Sequence, residues 1–217
     1  MKCAKKFNFP IVLSLLVICS LTQIAQAKNR WGVTVSGTIS VPLGTLADRF
    51  TSETNYSAGL SKWNGGKLVT YIDAEYYDFS TINESKLEYS DLDLRLQIWG
   101  TEVCFCYYPF LKSQFKLINP YFGGGAGIYY WKNRVGPYTI LMDNVDTPID
   151  ELIREEFTWG FNVKYGVDCR ISRNIGLNIS MSYKLVPVSL WPTSLLFLDE
   201  VNGLHFFNTR ISLSYNF

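Results

Sequence analysis

The sequence predicts an all-β fold, an eight-stranded antiparallel up-and-down transmembrane β-barrel. Three observations predict it. Eight segments alternate apolar and polar residues with the period of two that a strand imposes. Their polar sides carry Gly, Ser, Thr and Asn interleaved with full charges, which suits a narrow lumen better than a solvated sheet face. The connections after the second, fourth and sixth strands are mostly short and the others long, as when the turns lie on one side of a membrane and the loops on the other.

Taken in order, residues 1–27 read as an export signal. Lys2, Lys5 and Lys6 give a positive start, residues 11–18 are an apolar run broken only by Ser14, and Ala25-Gln26-Ala27 fits small-x-small cleavage after Ala27. The apolar run is short for a spanning helix. Ile18 is too bulky to precede a lipidated Cys19. The barrel is therefore expected over residues 28–217. Three of the twenty basic residues lie in the signal, leaving 17 against 19 acids, a net charge of −2. With no clustered basic face, nucleic-acid binding is not expected. Beyond the signal no apolar run reaches helix-spanning length, which a barrel does not need.

The first strand is predicted at 31–41, with Trp31, Val33, Val35, Ile39 and Val41 opposite Thr34, Ser36, Thr38 and Ser40. Pro42 and Gly44 end it. The second, at 55–63, has the weakest pattern. Asn64-Gly65-Gly66 then turns the chain, because Asn and Gly accept positive φ. The third spans 68–79, with Leu68, Ile72, Ala74 and Tyr76 opposite Asp73, Glu75 and Tyr77. A loop follows over 80–90.

The fourth strand, 91–108, starts with Leu92, Leu94, Leu96 and Ile98 on one face and Asp93, Arg95 and Gln97 on the other. After Gly100 the apolar set becomes Val103, Phe105 and Tyr107, so a β-bulge is predicted there. Without one, Glu102 would face lipid. The fifth, 120–132, contains the run Gly123-Gly124-Gly125-Ala126-Gly127. In the long third loop, Thr147-Pro148 before Asp150-Glu151 predicts a helical turn. The sixth strand, 157–169, and the seventh, 175–185, alternate most regularly. The eighth, 204–217, ends the chain on Phe217 and must pair with the first, since lipid tolerates no open edge. Aromatics gather near strand ends, where membrane interfaces place them; Trp31, Trp131, Trp159 and Tyr215 are the expected interface set.

Charges on the polar faces define the candidate site: Asp73, Glu75, Arg95, Lys164, Asp168, Lys184 and Arg210. They read either as an internal salt-bridge plug or as the lining of a narrow pore. Eight strands leave a lumen that side chains fill, which favours the plug. The mature chain has an odd set of cysteines, Cys104, Cys106 and Cys169. Strand spacing is poor for a disulfide, and thiols this sparse lack a fourth zinc ligand. They are expected to be free fillers. The glycine run has Gly-x-Gly spacing, but tyrosines and Trp131 follow where a nucleotide loop needs a helix. No metal or cofactor is expected. The fourth loop holds Val186, Val188, Leu190, Trp191 and residues 195–198, all apolar. Either it binds a partner, lipid or hydrophobic ligand, or the flanking strands extend further outward.

The segments Val41-Pro42-Leu43-Gly44 and Pro120-Tyr121-Phe122-Gly123-Gly124-Gly125-Ala126-Gly127-Ile128-Tyr129-Tyr130, with the last strand 210–217, resemble eight-stranded outer-membrane barrels of the OmpA, OmpX and OmpW type. More closely, the chain resembles the broad outer membrane protein β-barrel domain group. The resemblance covers the mature chain. It implies the Gram-negative cell envelope, outer-membrane lipid as surroundings, and barrel-assembly machinery that recognises Tyr215 and Phe217. Some small barrels of this kind modify lipid A with a His, a Ser and an acid. His205, the only histidine, lacks a Ser two residues on and an assignable acid. The expected function is thus a non-catalytic integral outer-membrane protein with a structural or surface-binding role in the third and fourth loops. The alternative is a porin-like channel or a carrier of small, hydrophobic molecules. The surface ligand is not legible.

Overall fold

The computed structural model describes residues 30–64, 66–83, 93–110, 118–142, 145–190 and 201–217. The signal at 1–27 and the apolar stretch 191–200 lie outside them. The strands are β1 (Arg30–Leu43), β2 (Glu53–Trp63), β3 (Leu68–Phe79), β4 (Leu94–Tyr107), β5 (Ile118–Val135), β6 (Tyr138–Met142), β7 (Val145–Ile149), β8 (Leu152–Arg170), β9 (Ile175–Leu190) and β10 (Val201–Asn216). Eight of them close a barrel in the order β1-β10-β9-β8-β5-β4-β3-β2. The closing seam runs antiparallel from Gly32↔Asn216 to Leu43↔His205, so the eight-stranded sheet has no edge strand. The end holding Arg30, Phe217 and the connections 64–67 and 171–174 is here the turn end; the opposite one is the loop end.

Two sequence expectations are corrected and one open alternative is decided. β4 has no bulge: its pairing with β3 and β5 runs unbroken through Gly100. The Thr147-Pro148 segment is strand, not helix. It forms β7 and pairs with β6 as a separate hairpin, with Pro148 opposite Thr139; Pro is tolerated in so short a two-stranded sheet. β9 reaches Leu190 and β10 starts at Val201, so the strands around the fourth loop do extend outward.

The outer wall carries an apolar belt on all eight barrel strands. Val35, Leu60, Ile72, Val103, Ile128, Val163, Ile179 and Leu213 all face outward and are exposed. Outward positions on β1 run from Trp31 to Val41. At a rise of about 3.3 Å per residue and a tilt near 40°, that span is about 25 Å tall, the height of a membrane barrel's apolar band. An aromatic row bounds the belt toward the loop end. Tyr76, Trp99, Tyr130 and Phe157 stand side by side on β3, β4, β5 and β8, with centroid spacings of 5.3, 5.5 and 4.9 Å.

At that row the polarity of the wall inverts. Below it, many inward positions are polar, with Thr38, Ser180, Ser182 and Ser212 buried, and a small apolar cluster of Val69, Cys106, Tyr108 and Tyr121 lies nearer the turn end. Above it, inward positions are apolar. Phe79, Leu94, Leu96, Ile98, Trp131 and Phe206 form a core that the loop residues Leu46 and Phe50 enter. The outer face there is polar, with Asp78, Arg95, Gln97, Lys132 and Glu155 in outward register. The parity change in β4 is therefore a change of surroundings, not of register. Leu94, Leu96 and Ile98 point into the barrel, and Val103 and Tyr107 point out.

Candidate functional site

Three acids on one wall meet three bases on the other inside the belt. Asp73 and Glu75 come from β3 and Glu102 from β4; Lys164, Lys184 and Arg210 come from β8, β9 and β10. Lys164 Nζ lies 3.3 Å and Arg210 Nη1 3.1 Å from Asp73 Oδ2. Lys184 Nζ lies 2.9 Å from Glu102 Oε2 and also contacts Glu75, which Arg210 reaches too. Tyr77 donates to Glu75 at 2.9 Å, and Tyr129 donates to Glu102 at 2.8 Å. The bridges join non-adjacent strands, so they cross the lumen. Six full charges sum to zero in a region closed to water, the one arrangement in which burying them is tolerable.

Glycine makes the room. A Cβ at Gly127 would lie 2.6 Å from the Thr101 carbonyl oxygen and 2.8 Å from the Glu102 Cβ. Only hydrogen at this position lets β5 approach β4 while Glu102 turns inward.

Asp73, Glu75, Lys164, Lys184 and Arg210 of the sequence-derived set are brought together. Asp168 faces the lumen one layer nearer the turn end, where Tyr108 and Asn178 donate to it. The Tyr71 and Tyr108 hydroxyls share a hydrogen bond of 2.7 Å in that layer. Arg95 does not line the lumen. It lies outside, above the aromatic row, 43% exposed, and clamps Asp78 through two hydrogen bonds of 2.9 and 2.6 Å. Its guanidinium holds the Asp78 carboxyl below the usual carboxylate range. The sequence reading left Glu102 out of the charge set, although the bulge it inferred already turned this side chain from lipid toward the lumen. Strict period two sets it opposite Asp73, where the third base finds its acid.

Trp31, Trp159 and Tyr215 face outward within the belt, but Trp131 does not. It shares the inward parity of Tyr121 and Tyr129 and is wholly buried in the loop-end core. Cys104 and Cys106 are buried and Cys169 is half-buried; all three are free thiols. Asp73, Glu102 and Cys104 converge to within 4.8 Å, but Lys164, Lys184 and Arg210 already supply the positive charge a metal would bring. His205 sits outside, with Nδ1 sharing a hydrogen bond with the Tyr183 hydroxyl.

The wall has a weak seam toward the loop end. The β8–β9 ladder stops at Phe161↔Leu185, although both strands continue. In the same register Pro187 would face Trp159, and proline has no N–H to donate. Thr158 Oγ1 instead donates to the Pro187 carbonyl at 2.7 Å. A cavity of about 440 Å³ opens there, lined by Trp131, Arg154, Glu156, Leu185, Pro187 and Val188. The Trp131 indole N–H is buried there without a partner among the described residues. The Arg154 guanidinium stacks 5.7 Å from the Trp131 ring centroid.

Closure, belt and filled lumen define the class: a closed, eight-stranded, outer-membrane-type β-barrel. Solved barrels share the fold. Neisserial surface protein A superposes with a TM-score of 0.51 at 13% identity, over 86% of this chain and 97% of that one. OprG from Pseudomonas aeruginosa gives 0.51 at 15%, over 90% and 98%. A major outer membrane protein from Thermus thermophilus gives 0.52 at 9%, over 86% and 99%. No protein-family model and no curated protein matches the sequence.

Proposed function

We propose that this chain is an integral protein of a bacterial outer membrane, a non-catalytic barrel with a structural or surface-binding role. In this reading a signal is cleaved after Ala27, the turn end and both termini are periplasmic, and Tyr215 and Phe217 are read by assembly machinery. The inversion of wall polarity carries it: an apolar outer belt suits lipid, and the polar-walled extension above the outer aromatic row suits water. That extension, with the β6–β7 hairpin, is the surface offered to a ligand. The luminal charge cluster and the apolar core above it support a closed barrel. His205 on the outer face shares its hydrogen bond with the Tyr183 phenol and not with a Ser or an acid.

The test is conductance of the refolded mature protein in a planar lipid bilayer. Insertion without steady openings is expected. Steady openings that change when Lys164 or Arg210 is neutralised would make it a channel.

The β8–β9 seam favours a second reading, a carrier of small amphipathic molecules. Its cavity joins inward residues (Trp131, Arg154) to outward ones (Leu185, Pro187). It offers apolar walls, a guanidinium and an unpartnered indole N–H, which suit an apolar chain with an anionic head. Laurate binding to the barrel in nanodiscs, measured by calorimetry, is expected to weaken about tenfold in Arg154→Gln, the loss of one charge-assisted hydrogen bond. Equal binding by both proteins would remove the seam as a site.

A further inference from the structure

The two ends of the barrel carry opposite charge. Outside the lumen, the described turn end holds Arg30, Lys62, Lys67, Arg170 and Arg173 and no Asp or Glu. Acids outnumber bases at the loop end, with Asp48, Glu53, Asp93, Asp150, Glu151 and Glu156 among them. By sequence, Lys112 and Lys116 belong to the β4–β5 connection, which contains no acid. Among the described residues Arg30, Lys62, Lys67 and Arg173 meet no carboxylate.

Position matters more than number. Lys62 pairs directly across from Trp31 on the outer face, its ammonium 5.2 Å from the ring centroid. Lys67 stands 5.7 Å from the ring of Tyr107. Trp31, Tyr107, Phe122 and Tyr215 are exposed outward at this end, a second aromatic boundary to the belt. Tyr107 and Phe122 pack 5.5 Å apart within it. These bases therefore sit on the lipid-facing perimeter at headgroup depth. Long basic stems lie along apolar surface there with the charge at the polar boundary. A polymer approaching along the barrel axis would not need Lys62 on the side wall.

Resting on the membrane reading above, we propose that the turn end binds anionic phospholipid headgroups of the leaflet it faces. Lys62 and Lys67 take the phosphodiester from the perimeter, and Arg30 and Arg173 flank them. Each base near an anionic surface favours association by roughly fivefold, less when salt screens it.

The test uses the mature barrel in phosphatidylcholine bilayers, with tryptophan quenched by brominated phosphatidylglycerol or brominated phosphatidylcholine. Trp31 reports on this end. A preference for phosphatidylglycerol of about tenfold is expected at low salt, given two perimeter bases averaged over the annulus. It should fall toward one in high salt and in K62Q/K67Q/R173Q, persist in K62R/K67R/R173K, and be unchanged in Lys132→Gln at the other end. No preference in the parent protein, or one that survives the triple neutralisation, overturns the proposal. So does a triple variant that keeps its lipid preference but no longer sediments with peptidoglycan, which would assign the basic rim to that polymer. Failure to insert, read from heat-dependent gel mobility, would instead overturn the membrane reading.

Discussion

Lys184→Met is expected to destabilise the folded barrel by about 3–5 kcal/mol, the cost of leaving a buried charge without its partner. Lys184 is only 1% exposed and, among the described residues, is the one base touching both Glu75 and Glu102. Without it, Glu75 keeps Arg210 and the Tyr77 hydroxyl. Glu102 keeps the Tyr129 hydroxyl and a weak contact from the Cys104 thiol, with Lys164 and Arg210 nearby but, among the described residues, no cation in contact with it. The cost therefore falls on Glu102. Adding Glu102→Gln to the same chain removes the orphaned charge and leaves Asp73 and Glu75 facing Lys164 and Arg210. That double variant should recover to within about 1–2 kcal/mol of the parent, since a missing buried pair costs far less than a broken one. Arg95→Met, at the exposed pair with Asp78, should lose no more than about 1 kcal/mol. Urea unfolding from lipid vesicles, followed by tryptophan fluorescence, measures all three. If the double variant is no more stable than Lys184→Met, the loss comes from packing and the charge account is wrong.

The same residues show why the sequence was readable in some places and not in others. β1, β8 and β9 lie mostly within the belt, where an apolar residue means outward at every second position. Period two then places their residues correctly, Lys164 and Lys184 included. β4 crosses from the belt into the extension, and the meaning of an apolar residue reverses on the way. Leu96 and Val103 are both apolar, yet one is inside and the other outside. A reading that equates apolar with lipid must invent a bulge to reconcile them. That one step put Leu94, Leu96 and Ile98 on the lipid face and took Arg95 for a lumen residue. Trp131 was misplaced by a related habit, that of assigning strand-end aromatics to the interface without checking parity. Its neighbour Tyr130 holds the interface position. The seam at Pro187 was beyond periodicity altogether, because it depends on which strand faces the missing N–H. The helical turn expected in the third loop rested on capping residues alone, and five paired residues on each side outweighed them.

The reversal is itself open to a direct test, because neighbouring residues of β4 should respond oppositely to one substitution. Leu96→Arg would bury an unpaired cation in the apolar core with Phe79, Trp131 and Phe206, at a cost of about 3–5 kcal/mol. Gln97→Arg, one residue on, points into water beside Lys132 in register and should change stability by no more than about 0.5 kcal/mol. Val103→Arg points outward again, but midway between Trp99 and Tyr107, the aromatics that bound the belt on this strand. An arginine there should cost about 2–4 kcal/mol in a bilayer, the depth-dependent penalty for a charge near the midplane. The solvent separates the two costly variants. Moving from bilayer to detergent should relieve much of the Val103→Arg deficit, because a micelle deforms around a charge, and none of the Leu96→Arg deficit, because that charge never meets the solvent. Equal penalties at 96 and 97 would mean that the wall does not invert at the aromatic row. A Val103→Arg barrel as stable in lipid as the parent would mean that the outer belt is not in contact with hydrocarbon.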